Sequence, residues 1–322
     1  MGVRQTIAVI GAGAVGSYYG GRLAEAGHDV RFLMRRDYQA VRTDGLKVTS
    51  PDGDFTLTSP TVALNSKEIG PVDWVLCALK ATSIEDALDL VRPCVATNTR
   101  IIVLMNGLGV EERFTQWFSP ERIFGGLAFT CINRGEPGYV HHLAYGQVTL
   151  AHLQNDPVEV ETAVELWAQS RVHVIASPSL LRARWEKLCW NIPFSGLAVA
   201  AGGITTDGIV GDPSLRSTAR TLMEEVIAAG NADLAAHSEL ARLDHVLIVH
   251  RMFELTDTMG AYRSSTMIDF VEGKAMEVEA MFGEPLRRAQ SLGVTTPQLA
   301  LLTALMRALN VQEQKWQPTL EE

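Results

Sequence analysis

Cysteine is scarce in this chain, and so is lysine. Among 322 residues there are four cysteines, Cys77, Cys94, Cys131 and Cys189, widely spaced and without a CxxC pair. That pattern excludes a disulfide scaffold and a zinc ribbon, predicts no metal site, and suits a reducing cytoplasm. Long apolar runs are also missing. The uncharged stretch from Ile192 to Ile204 is broken by Pro193, Ser195 and three glycines, and falls short of the roughly 20 residues of a membrane helix. Positive charge is in deficit: Lys and Arg total 28 against 37 Asp and Glu, a formal net charge of −9. Neither half carries a basic field, which excludes nucleic acid as a partner.

Two N-terminal patterns invite other readings. Ile7 to Gly16 resembles the apolar part of a secretion signal, and Met1-Gly2 with Thr6 fits a loose acylation pattern. A buried first strand accounts for both, so the chain is read as cytoplasmic and without a membrane partner.

What the chain does have is core material. Apolar residues make up 47% and charged residues 20%, the balance of a soluble globular protein. The length exceeds one ordinary core, and two domains are expected, 1–177 and 178–322. The first half alternates short apolar runs (Thr6–Ile10, Asp29–Met34, Trp74–Leu79, Ile101–Met105) with helical segments at 14–26, 84–91 and 110–118. Alternation of this kind predicts a doubly wound parallel sheet. A hairpin is expected at 46–50 and 55–58. Three further strand segments, 123–130, 139–142 and 147–151, suggest an antiparallel addition, and a helix at 158–169 with a strand at 172–175 closes this half. Beyond Ser177-Pro178 the pattern turns helical, with faces such as Leu215, Ala219, Leu222, Val226 and Leu299, Leu302, Leu305, Leu309.

Gly11-Ala12-Gly13-Ala14-Val15-Gly16 is a GxGxxG loop between a strand and a helix, the context in which that motif binds a dinucleotide pyrophosphate. The end of the second strand selects the dinucleotide. An NAD site places Asp or Glu there; this chain has Arg35-Arg36, which suits the 2′-phosphate of NADP, with Asp37 one residue later as a potential spoiler. Lys80 and Asn106 follow the strands at 74–79 and 101–105, where strand ends open onto a ligand crevice.

Only six lysines occur, which makes Lys187 inside an apolar helix noteworthy. Lys187, Asn191 and Ser195 recur at i, i+4 and i+8, placing an ammonium, an amide and a hydroxyl on one helix face, with a bend expected at Pro193. An ammonium can stabilise the alkoxide that forms when a carbonyl is reduced, and can protonate it. A second group joins Ser264-Ser265-Thr266, hydroxyls suited to a carboxylate, with Glu277 among Met276, Val278 and Met281. A carboxylate in apolar company usually has a cationic partner or a raised pKa.

Taken in order, GAGAVG, LK at 79–80, MNGLG at 105–109, RWEKLCWN at 184–191, SS…D at 264–269 and GKAMEVE at 273–279 resemble the ketopantoate reductase family over about residues 6 to 300. The resemblance implies an α/β fold: an N-terminal Rossmann-type domain and an all-helical C-terminal domain of the 6-phosphogluconate dehydrogenase C-terminal type, with the site in the cleft between them. It implies NADPH-dependent reduction of ketopantoate to pantoate, on the path to pantothenate and coenzyme A. By position, Lys187 resembles the proton donor, and Glu277 the glutamate near that lysine and the nicotinamide. Asn191 resembles a substrate contact and Ser265 the carboxylate holder. Asn106 and Lys80 resemble residues at the cofactor and the reacting centre, and Arg35 the one near the 2′-phosphate.

The chain departs from the family in three places. Ser195-Gly196 stands where an asparagine and a proline are frequent, Met276 to Glu279 replaces a Thr-Glu-Ile-Asp run, and only Thr205 is near a further substrate asparagine. A reductase of another branched 2-oxo acid therefore stays open, as does a non-catalytic NADP-binding sensor, and a homodimer is compatible with the sequence.

Overall fold

A computed structural model describes residues 3–315, with side chains for 3–310. Met1 and Gly2 of the acylation pattern, and 316–322 at the end of the expected second domain, lie outside the described residues. The chain divides into two compact units: Met1–Met105 with Val110–Leu180, and Asn106–Gly109 with Leu181–Glu322.

The first unit is built on one ten-stranded sheet. Its strands are β1 (Thr6–Ile10), β2 (Asp29–Leu33), β3 (Leu46–Thr49), β4 (Phe55–Leu57) and β5 (Thr61–Ala63), then β6 (Val72–Cys77), β7 (Val95–Val103), β8 (Ile123–Arg134), β9 (Tyr139–His152) and β10 (Val174–Ala176). The lateral order β5-β2-β1-β6-β7-β8 is parallel throughout. Setting aside the inserted β3–β4 hairpin, that is the 3-2-1-4-5-6 order of a dinucleotide-binding fold, whose switch point falls between β1 and β6. Ile7, Val9, Trp74, Leu76 and Ile102 are buried on one face with Tyr19 and Leu23 of the helix after β1, and Ala8, Ile10, Val75 and Cys77 between them are buried as well, which explains why these strands are apolar runs rather than alternating ones. The helices here are α1 (Ala14–Glu25), α2 (Tyr38–Asp44), α3 (Ser66–Ile69), α4 (Ile84–Val91), α5 (Val110–Phe114) and α6 (Pro157–Glu165).

The expected antiparallel addition is present but simpler than its three segments. β8 and β9 form one long antiparallel hairpin, and the sequence gap at 143–146 is an irregularity inside β9, where Tyr145 (φ 64) and Gly146 (φ 110) shift the register. The expected helices at 110–118 and 158–169 are shorter, ending at Phe114 and Glu165. α2, α3 and the three-residue β5 were not anticipated.

The second unit is helical: α7 (Leu180–Trp190), α8 (Gly196–Ala200), α9 (Thr206–Gly211), α10 (Pro213–Ala236), α11 (His245–Asp257), α12 (Ser265–Val271), α13 (Glu284–Ser291) and α14 (Pro297–Lys315). α10 is its spine. It starts at the N-cap Asp212, whose carboxylate accepts from the Ser214 and Leu215 amides at 2.9 Å, with Pro213 in the first turn. Met223, Val226 and Leu222 of α10 pack in one core with Trp185, Phe194, Phe282, Leu299 and Met306. A buried charge pair crosses that core: Asp233 accepts from Trp185 Nε1 at 2.8 Å and from Arg288 at 3.0 Å. Among the described residues no helix is long and apolar enough to cross a membrane. The four cysteines are free, and burial pushes the Cys77 thiol up to about 12 and the Cys94 thiol to about 11.

Candidate active site

In the first unit, the glycine loop joins β1 to α1 at the switch point. Gly11 has φ +89, and a Cβ there would sit 2.7 Å from the backbone of Ala78 and Leu79. A side chain at Gly11 would therefore push the ends of β1 and β6 apart. Gly16 has no room either, since its Cβ would run into the Gly11 carbonyl. Gly13 differs. Its φ is −81, and a Cβ would meet nothing nearer than the Gly11 oxygen at 4.0 Å. Among the described residues nothing crowds that position, and the open space suits a close approach of the backbone to a ligand. With no acidic residue in the first turn of α1, the loop fits a dinucleotide pyrophosphate: the unpaired N–H groups at the helix start supply donors and partial positive charge.

After β2, the two arginines are not equivalent. Arg36 is engaged, with Nη2 donating to the Gly135 carbonyl at 2.9 Å and Nε 3.1 Å from Asp37. The exposed Arg35 side chain makes no hydrogen bond or ion pair among the described residues, leaving its guanidinium available to a ligand. Lys80, also exposed, precedes the short turn Ala81–Ser83 after β6.

The second unit brings together side chains far apart in sequence. Lys187, near the end of α7, donates from Nζ to Asn106 Oδ1 at 2.9 Å. Asn106 Nδ2 in turn donates to Glu277 Oε2 at 3.1 Å. A carboxylate only accepts, so Glu277 fixes which end of the amide faces it and turns the carbonyl oxygen to the ammonium. Glu277 is 9% exposed, while Lys187 and Asn106 are half-buried. The Asn106–Gly109 segment is anchored to this unit. Leu108 donates its amide to the Ala280 carbonyl at 2.9 Å and its side chain lies in the helical core. Gly107 (φ +100) lies so near Ala280 that a Cβ would be 2.7 Å from its carbonyl oxygen.

Asn191 follows Lys187 by one turn and donates to Met281 Sδ at 3.7 Å, a weak acceptor that a better one can displace. Here the expected single face ends. Asn191–Ser195 forms a π-helical turn, the local answer to the backbone bond that Pro193 cannot make. A π turn takes more than four residues, so Ser195 does not continue the row of Lys187 and Asn191, and it is buried at 2% exposure. A second π turn, Glu279–Gly283, lies just beyond Glu277. Single π turns of this kind are frequent at functional sites. Ser265 is exposed at the start of α12, while Ser264 caps that helix by accepting from the Met267 amide at 3.3 Å. Thr205 is bonded to Asp207.

Sequence reasoning places Met281 and Ala280 only as apolar company for Glu277 and misses that they seat Asn191 and the Asn106 loop; it also misses Asn310, which accepts from the Met276 amide at 3.0 Å. They are ordinary core and cap residues in the sequence, and only their neighbours give them a role.

Fold and site define an oxidoreductase: a dinucleotide-binding sheet paired with a helical unit that carries a braced lysine. The chain belongs to the ketopantoate reductase family. Its first part, residues 7–155, matches the family model "Ketopantoate reductase PanE/ApbA", and residues 179–310 match "Ketopantoate reductase PanE/ApbA C terminal". It is 36% identical over 320 residues to 2-dehydropantoate 2-reductase of Nostoc sp., covering 98% of each chain. Among solved structures it resembles 2-dehydropantoate 2-reductase from Geobacter metallireducens GS-15, with 41% identity and a TM-score of 0.90 over 94% of this chain and 99% of that one. The fold is shared more widely. D-mandelate dehydrogenase, in a ternary structure with NADH and anilino(oxo)acetate, matches with a TM-score of 0.85 at 22% identity, covering 96% of this chain and 99% of that one.

Proposed function

We propose that this chain is an NADPH-dependent 2-dehydropantoate 2-reductase of the cytoplasm, reducing ketopantoate to pantoate for pantothenate and coenzyme A synthesis. In this reading residues 1–177 bind the nucleotide and 178–322 carry the substrate groups. The observation that carries it is the chain Lys187–Asn106–Glu277, an ammonium held at 2.9 Å by an amide that a carboxylate orients at 3.1 Å. When bound, a reduced nicotinamide supplies the hydride. Lys187 then meets the negative charge that grows on the carbonyl oxygen and gives that oxygen a proton. Asn106 and Glu277 keep the ammonium aimed during this step. Asn191 donates its amide to the substrate in place of Met281, and the exposed Ser265 hydroxyl donates to the substrate carboxylate. The braced lysine also argues against a mere sensor, which needs no proton donor at a carbonyl.

The burial of Ser195 favours one second reading, a different branched 2-oxo acid, because no side-chain amide stands at that position to hold a hydroxylated substrate tail. NADPH consumption with a panel of 2-oxo acids separates the two. Ketopantoate should give the highest kcat/KM, and a tenfold preference for another acid would overturn the assignment.

The cofactor part of the reading rests on Arg35, the uncommitted guanidinium after β2. Arg35→Ala should weaken NADPH binding by roughly 10- to 150-fold, the worth of a charge-assisted contact to phosphate, while NADH binding stays within a few-fold. Titration of each nucleotide without substrate measures this, and equal weakening of both would remove Arg35 from the site.

A further inference from the structure

Asp37 is placed strangely for an aspartate that begins a helix. It occupies the N-cap of α2, where a carboxylate ordinarily accepts from the first free amides of the helix. Here its side chain makes no cap bond. It is withdrawn to 6% exposure instead, with one oxygen 3.1 Å from Arg36 Nε and the other 3.4 Å from Arg134 Nη2. Arg134, at the end of β8, has a second contact: the same Nη2 donates to the carbonyl of Ala12, in the glycine loop, at 3.1 Å. One guanidinium thus links the loop that fits a pyrophosphate to the carboxylate nearest the strand end where the ribose is read.

A carboxylate at that strand end decides between dinucleotides. Exposed and uncompensated, it accepts from the 2′- and 3′-hydroxyls of an unphosphorylated ribose and repels a 2′-phosphate. Asp37 follows the end of β2 by four residues, and two arginine ion pairs, at 3.1 and 3.4 Å, offset its charge. Arg36 is a neighbour in sequence and also holds the Gly135 carbonyl. Arg134 arrives from another strand, so its pairing with Asp37 is a product of the fold.

We propose that Arg134 is a specificity-determining positioning residue: by neutralising Asp37 it makes the end of β2 accept a 2′-phosphorylated dinucleotide and disfavour the unphosphorylated one. The inference rests on the NADPH reading above, in which Arg35 receives the phosphate. Arg134 acts through Asp37, and the Ala12 contact keeps its guanidinium from swinging into solvent. The same logic explains how Asp37 is tolerated one residue after two arginines. It is an NAD-type carboxylate in the sequence and a neutralised one in the fold.

The test is nucleotide binding in the absence of substrate, measured as the ratio of dissociation constants for NADH and NADPH. Arg134→Met should weaken NADPH about tenfold, the low end for loss of a charge-assisted contact, and leave NADH within about threefold, so that the ratio falls. Adding Asp37→Asn should return the ratio to within about threefold of wild type, because the charge that Arg134 cancels is then gone. Arg134→Lys, which keeps the charge, should stay near the wild-type ratio. Equal weakening of both nucleotides by Arg134→Met, or no rescue in the double variant, would overturn the proposal and reduce Arg134 to a brace for the glycine loop. If Arg134→Met does not fold, Asp37→Asn alone decides. It should raise the ratio, and an unchanged or lower one overturns the proposal. The wild-type ratio by itself tests the NADPH reading, whereas its change on substitution tests Arg134 whatever the starting value.

Discussion

Lys187→Ala is expected to lower kcat by roughly 10²–10⁴-fold, the range of general acid catalysis, with NADPH affinity nearly unchanged. That is about 3–5 kcal/mol of transition-state stabilisation, which starts where the range for the Arg35 contact to phosphate ends. In the proposed mechanism two steps give this size. Charge arriving on the carbonyl oxygen is met by an ammonium that is already oriented, so little reorganisation is needed as the charge develops. The oxygen then needs a proton, and the ammonium has one to give. Lys187→Arg separates the two contributions. A guanidinium keeps the charge but holds its proton too firmly to act as an acid, and its fork does not match the single contact to Asn106 Oδ1 at 2.9 Å. Little rate should return. Asn106→Asp provides the control for aim: a carboxylate there would face Glu277, now 3.1 Å from the amide nitrogen, and like charges at that distance cannot both stay ionised comfortably. Single-turnover measurements at saturating substrate check each variant. Turnover of Lys187→Ala within a few-fold of wild type would place the acid on another residue.

The sequence carried much of this architecture because the relevant signals are local. Apolar runs at Ile7–Ile10 and Trp74–Cys77 read as strands buried on both faces, and they flank the switch point of the sheet. The GxGxxG loop was legible for the same reason, since strand, turn and helix lie within twenty residues. What was lost is what depends on partners. β8 and β9 read as three pieces because Gly146 and Tyr145 interrupt the pattern, yet a bulge absorbs them within one ladder. Pro193 predicts a bend, and the chain answers it with a π turn in which Ser195 is buried. In the site, Lys187 and Asn191 announce themselves by spacing on one helix. The dependence of Lys187 on Asn106 does not, because Asn106 follows a strand of the first unit in sequence but packs with the helical unit. Arg134 and Asp37 lie 97 positions apart, and no periodicity relates them. Local grammar writes the elements, while the pairing of charges between elements is written only in the fold.

Gly107→Ala should cost about 1–3 kcal/mol of stability, the usual range for forcing an atom into a filled site, and should lower kcat by about 100-fold. The backbone at Gly107 has φ +100, a conformation that a residue with a side chain adopts only under strain. The new Cβ would also lie 2.7 Å from the Ala280 carbonyl oxygen, too close for contact, so the loop or the start of the π turn must move. Both carry the site. The loop holds Asn106 next door, and the Ala280 carbonyl that would be displaced is the acceptor of the Leu108 amide. A shift near 1 Å would unseat the amide between Lys187 and Glu277, and misplacement on that scale costs roughly 10²-fold in rate even when every catalytic group remains. Gly109→Ala is the matched comparison. It shares a positive φ of +78, but its Cβ would make only ordinary contacts, at 3.4 Å from Arg288 and Glu284. It should therefore lose about 1–2 kcal/mol of stability from backbone strain and keep most of its rate. Urea unfolding and kcat measured on both variants make the comparison, with nucleotide binding as the check that the first unit is intact. If Gly107→Ala loses stability yet turns over as fast as Gly109→Ala, the packing of Gly107 against Ala280 serves folding alone, and the aim of Asn106 does not depend on it.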